Sequence, residues 1–242
     1  MAKETELINA MVDNNIYILT TISPETTNEL IARLSHWVDV LPFPNYVEKN
    51  QPTTGNDISE DEIRIISGKY SKKMYSPYEM VPTSCPTINV YINSNGGKTL
   101  VMQSILTLFN MASAKGTIIK TYNLASASSS ASMIAISGTS GYRYMAENAY
   151  NYIHFGRYSA DTAHTDEIDI LTNDLKTFDK TTRLMYLNNT KLTNKELTRY
   201  YNTEGAGRLY ADQCLQKGLC DWVITNDGRF VNNINELKSK QR

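Results

Sequence analysis

Residues 87–138 read TINVYINSNGGKTLVMQSILTLFNMASAKGTIIKTYNLASASSSASMIAISG, and their rhythm decides the fold. Thr87–Asn93 is β-branched and aromatic, reads as a strand, and runs into the turn SNGGK. A helix is expected from about Thr99 to Ala112, with Leu100, Ile105, Leu108 and Met111 at helical spacing. TIIKTYNLA then reads as a second strand that leads straight into a run of serines, and MIAISG as the buried part of a further helix. Strand, glycine turn, helix, strand is the order of an α/β unit with parallel pairing, since parallel strands need a crossover between them.

The same pattern extends in both directions. Upstream, NIYILT (15–20) reads as a strand and Pro24–Leu41 as a helix capped by Ser23, with Leu30, Ile31, Leu34, Trp37, Val38 and Leu41 on its apolar face. Residues 42–86 are rich in Pro, Asn, Ser, Tyr and charge, with weak periodicity apart from a short strand at IRIIS, and read as a surface insertion into a single domain. Downstream, YRYM and AYNYIHF read as short strands. From about Thr162 to Asn189, Ile168, Leu171, Leu175, Phe178 and Met185 describe a long amphipathic helix, longer than the globular average. Short helices at Asn194–Tyr201 and Ala211–Lys217 and an edge strand DWVIT complete the chain.

Composition excludes several functions. Lys plus Arg number 24 against 25 Asp plus Glu, with no long run of one sign, so neither a nucleic acid nor an anionic membrane is an expected partner. No window reaches the roughly 20 apolar residues of a membrane span, and the N-terminus lacks a signal-peptide pattern, which predicts a cytoplasmic protein. Cys85, Cys214 and Cys220 are too few and too irregularly spaced for a zinc cluster, and they read as buried free thiols. No metal or cofactor is expected.

The stretch LASASSSASMIAISG (124–138) holds six serines in fifteen residues. Its other residues are mostly Leu, Ala, Met and Ile, unlike a flexible linker, and most of its serines read as small packing residues. A serine at a strand-to-helix turn has a second use. Its hydroxyl projects into a cleft, and the following backbone N–H can stabilise an oxyanion. Such chemistry needs a base, for which His154 in NYIHF is a candidate, although taken alone it reads rather as a core histidine. It also needs a second donor, and NSNGG at a strand end offers glycine backbone.

In their order along the chain, VYINSNGG, ASSSASMIAISGTSGYR, the Ile-His pair and AxxxLxxGLCD resemble the proteolytic subunit of Clp protease, the ClpP family of serine peptidases. The likeness spans roughly Ile16 to Asp221 without the insertion. It implies a repeated ββα superhelical core of the ClpP/crotonase kind, with residues 162–189 as a protruding handle helix. An ungapped match through Gly138, Gly141 and Arg143 places the nucleophile at Ser129, whereas Ser132 would need a three-residue gap inside a buried helix. The resemblance makes His154 the base, and the backbone N–H groups of Gly97 and Ser130 the oxyanion hole. The family's orienting aspartate falls on Ala206. Glu204, two residues earlier and followed by glycine, is the candidate acid, with an exposed loop acid as the alternative. Asn95 stands where the family has proline.

The resemblance further implies a homo-oligomer of two seven-membered rings around a chamber, cutting unfolded polypeptides supplied by an ATP-dependent unfoldase. Three other readings compete with that one. A catalytically impaired ring or assembly subunit is suggested by Ala206. A crotonase-like acyl-CoA enzyme would bind acyl-CoA at the anion hole. A Ser–Lys signal-peptide peptidase is disfavoured by the lack of a membrane segment.

Overall fold

A computed structural model describes residues 9–41, 45–48, 78–81, 86–154, 165–203 and 205–238. The chain divides into two compact units, Met1–Leu41 with Pro86–Arg242, and Pro42–Cys85. The second unit begins and ends within one residue of the insertion read from sequence. It contains an antiparallel pair, β3 (Asn45–Glu48) with β4 (Tyr78–Val81), while IRIIS lies outside the described residues.

The first unit is a mixed α/β structure on a mostly parallel sheet. Its spine is β2 (Asn15–Ile18), β5 (Thr87–Ser94), β6 (Ile118–Ser128), β7 (Arg143–Ala146) and β10 (Trp222–Ile224), all parallel. Antiparallel β1 (Ala10–Val12) and β11 (Phe230–Val231) close the two ends. The DWVIT strand is therefore interior, not an edge, because the two-residue β11 covers its outer side.

Helix α1 (Pro24–Val40) starts where the sequence places it, with Ser23 and Thr26 forming a reciprocal capping box and Pro24 in the first turn. Thr27, Leu30, Leu34 and Val38 are its buried stripe. Helix α2 (Thr99–Ala114) departs from expectation. Leu100 is 77% and Met111 43% exposed, and the buried face is Val101, Met102, Ile105, Leu106, Phe109 and Ala112. So many of its residues are apolar that two overlapping stripes fit the helical period. Packing against α1 and the sheet selects the one rotated away from Leu100.

Strand β6 is longer than the sequence suggests and changes partner along its length. It pairs with β7 from Thr121 to Asn123, and with β8 (Tyr150–Tyr152) from Ser126 to Ser128. Asn123 Nδ2 spans the change by donating to Tyr150 O at 2.9 Å. The end of β6 is thereby delivered, with β8 and its antiparallel partner β9 (Arg208–Tyr210), into the region where α3 (Ser130–Ile136) begins. Helix α4 (Thr165–Asn189) is the long helix, with 25 residues. Phe178, Met185 and Leu187 pack on the core, and Thr182 and Tyr186 are buried. Helices α5 (Asn194–Asn202), α6 (Ala211–Lys217) and α7 (Ile234–Lys238) follow. Among the described residues no helix is long and apolar enough to cross a membrane.

Candidate active site

Three backbone segments converge at the junction of β6 and α3. The first is NSNGG, at the end of β5. Ser94 Oγ donates to Thr20 O at 2.6 Å and accepts from Gly96 N at 3.1 Å, which anchors the turn. Ile22 bridges Gly97 in parallel register, through Ile22 N to Gly96 O (2.9 Å) and Lys98 N to Ile22 O (2.6 Å). That pattern leaves the N–H and C=O of Gly97 itself directed away from Ile22. Gly97 O accepts from Ser130 Oγ at 2.9 Å, so the exposed Gly97 backbone borders the head of α3. Side chains are excluded here: a Cβ on Gly97 would lie 2.1 Å from Ile22 O, and one on Gly96 would lie 2.8 Å from Ser129 Cβ.

The second segment is the run of serines, whose members have separate tasks. Ser126 and Ser128 hydroxyls bond each other at 3.2 Å, Ser130 bonds Gly97, and Ser137 Oγ donates to Met133 O. Ser132 is fully buried, 2.5 Å from Asn151 Oδ1 and 2.7 Å from Tyr186 Oη, so its hydroxyl is committed to the interior. Ser129 differs from all of these. It is half-buried, precedes the first residue of α3, and has φ 56° and ψ −124°. Positive φ outside glycine is rare and strained for an L residue, and such strain recurs where a side chain must be presented at a sharp strand-to-helix turn.

The third segment carries the histidine. Ser129 N donates to Tyr152 O at 2.9 Å, extending the Ser128–Tyr152 register, so the strand bearing Ser129 and the strand leading to His154 are joined up to the turn itself. Asn151 and Ile153 are buried, and the alternation leaves Tyr152 and His154 half-buried on the other face, their rings 5.2 Å apart. Ile153 N donates to Gly207 O at 2.9 Å, and a Cβ on Gly207 would lie 1.8 Å from Ile153 O. The Gly205–Gly207 turn thus presses on the residue before His154, and half-buried Ala206 sits within it. Glu204 lies outside the described residues. Arg208, next along, rests its guanidinium 4.7 Å above the Tyr150 ring and 5.6 Å from that of Tyr152, placing a cation on this rim.

The fold therefore draws Gly97, Ser129, Ser130 and the His154 strand into one neighbourhood. Sequence reasoning overlooked Ile22, whose backbone clamps Gly97, and Gly207, whose lack of a side chain admits Ile153. The paired glycines of NTEGAGRLY were the available signal for Gly207. Nothing local marks Ile22. Cys214 and Cys220 are buried free thiols, and burial pushes both well up, the latter to about 12.

A family model described as Clp protease matches residues 82–227, a span that includes every candidate residue of this site. The chain is 31% identical over 144 residues to the ATP-dependent Clp protease proteolytic subunit of Leuconostoc citreum (strain KM20), an alignment covering 58% of this chain and 68% of that protein.

Proposed function

The chain belongs to the Clp protease family, and from that premise we propose that it is a serine endopeptidase with Ser129 as nucleophile and His154 as general base. His154 takes the Ser129 hydroxyl proton as Ser129 attacks the peptide carbonyl. The Gly97 and Ser130 N–H groups stabilise the oxyanion, and water hydrolyses the acyl-enzyme. The observation that carries this reading is the left-handed φ of Ser129 at the β6–α3 turn, beside glycine backbone, while the neighbouring serine hydroxyls are bonded elsewhere.

Glu204 is assigned the orienting role that Ala206 cannot fill. The described side chains in the N-terminal half of α4, at 172–174, 176 and 177, are exposed, which supports a role for this half as a handle between copies in a double, seven-membered ring. Unfolded polypeptides delivered by an ATP-dependent unfoldase are the expected substrates. The Leuconostoc citreum relative is named as an ATP-dependent protease subunit.

Ala206 also favours a second reading, a catalytically impaired ring subunit. A fluorophosphonate probe separates the two, with the adduct mapped by mass spectrometry. The expected adduct is on Ser129 and is lost in Ser129→Ala. An adduct on Ser132 overturns the assignment, and an unlabelled wild type, under conditions that label an active relative, overturns the peptidase reading.

A further inference from the structure

Beneath Ser129 three buried polar side chains from three elements form one chain of hydrogen bonds. Ser132 on α3 donates its only proton to Asn151 Oδ1 on β8 at 2.5 Å. Its 2.7 Å contact with Tyr186 Oη on α4 is therefore one in which Tyr186 donates. Ser132, Tyr186 and Asn151 are 0%, 1% and 2% exposed. Burial pushes the Tyr186 hydroxyl far above the ordinary tyrosine range, so it stays a donor. Ser132 lies one helical turn after Ser129, and Asn151, on β8, lies three residues before His154, which follows the end of that strand.

Elsewhere on α3, Ser130 Oγ donates to Gly97 O at 2.9 Å and Ala135 O accepts from Thr121 Oγ1 at 2.8 Å, while the side chains of Ala131, Met133, Ile134, Ala135 and Ile136 are apolar. Those two bonds hold α3 to the Gly97 turn and to β6, one at each end, whereas the apolar contact between them is weakly directional and sets no rotation of α3 against β8. Hydrogen bonds are directional, and a buried network that satisfies its members selects one arrangement, whereas apolar side chains of similar volume would pack as stably. We infer that the Tyr186–Ser132–Asn151 chain is a positioning device: it fixes the rotation of α3 against β8, hence the placement of Ser129 relative to His154, and ties that placement to the seating of α4. These three are positioning residues and touch no substrate. The inference rests on the peptidase reading above.

The test removes the whole network at once, in the full-length chain, so that no partner is left orphaned: Ser132→Ala with Asn151→Leu and Tyr186→Phe. Fluorogenic-peptide hydrolysis and the rate of fluorophosphonate labelling are measured well below the unfolding temperature, beside thermal unfolding. The expected result is cooperative unfolding near the wild-type Tm, with kcat and labelling rate down at least tenfold and KM unchanged, since misplacement by about 1 Å costs up to 100-fold. Wild-type kcat and labelling in the triple variant overturn the inference, leaving the network a packing feature. If the triple variant does not fold, Tyr186→Phe, which deletes a single hydroxyl, is read in the same way: a folded variant with unchanged kcat overturns it. An unlabelled wild type removes the parent reading, and the device with it, before any variant is compared.

Discussion

At Ser129 the backbone holds φ 56° and ψ −124°, a conformation that costs a non-glycine residue about 1–3 kcal/mol. Glycine at that position relieves the strain but raises the entropy of the unfolded chain by the equivalent of roughly 0.5–1 kcal/mol. Ser129→Gly is therefore expected to be about 1 kcal/mol more stable than wild type while losing all hydrolysis, whereas Ser129→Ala loses hydrolysis without the gain. Urea unfolding of both variants checks this, and a glycine variant less stable than the alanine one removes the strain argument. Glu204→Gln tests the proposed third member of the site. If Glu204 orients His154, kcat falls by up to about 10⁴ with KM little changed, as for other triads that lose their acid. An unchanged kcat places Glu204 among ordinary loop acids. The family spacing singles out Ser129 because strand, turn and helix follow each other without gaps. The partners of Ser132 were not legible. They stand 19 and 54 residues away along the chain, and no local period links a serine to a tyrosine at that distance.

Elements were legible where their signals are local and ambiguous where the signal is only a period. Ser23 caps α1 as read, because a cap is a contact between residues three apart. In α2 the period is satisfied by more than one face, and tertiary packing chooses. Pairing between strands is equally hidden: Tyr17, Tyr91, Tyr122 and Tyr144 are direct cross-strand partners, with rings stacked 4.8–5.4 Å apart, although nothing in the sequence of any one strand shows it. Between α5 and α6, Glu196 accepts from Lys217, and this ammonium, with the Thr193 cap, lowers the Glu196 carboxyl to about 2. A carboxyl depressed in the folded state stabilises the protein above its unfolded pKa, and the effect is lost as pH falls through the folded value. Lys217→Met is thus expected to be less stable than wild type at pH 7, with the gap closing between about pH 4.5 and pH 2. Denaturant unfolding at about pH 7, 4 and 2.5 measures it, and a gap independent of pH assigns the loss to packing of the lysine stem instead.

For the whole molecule, the decisive fact is that its principal unit is assembled from two stretches of chain separated by Pro42–Cys85. Both ends of the gap are tied to the same turn. Lys115 Nζ donates to Val38 O and Leu41 O at 2.8 and 3.2 Å, and Ile118 N donates to Pro86 O at 2.8 Å. Lys115 and Ile118 are three residues apart, and a lysine side chain reaches about 6 Å, so Leu41 and Pro86 lie within about 20 Å of one another, a span that roughly six extended residues cover. The β2–α1 segment, which precedes the span matched by the family model, contributes a parallel strand to β5 and the Ile22 clamp on Gly97. It must therefore stay covalently joined, yet it needs only a short tether. Replacing residues 42–85 with a Gly/Ser linker of about eight residues is expected to leave a cooperatively unfolding protein whose Tm changes by no more than a few degrees, because loop-closure entropy varies by only about 0.6 kcal/mol for each halving of length. Differential scanning calorimetry gives the Tm, and fluorophosphonate labelling reports whether Gly97 and Ser129 still meet. Loss of cooperative unfolding in the shortened chain would show that the inserted unit holds the principal one together, and the division at Leu41 and Pro86 would then fail as a description of how the protein folds.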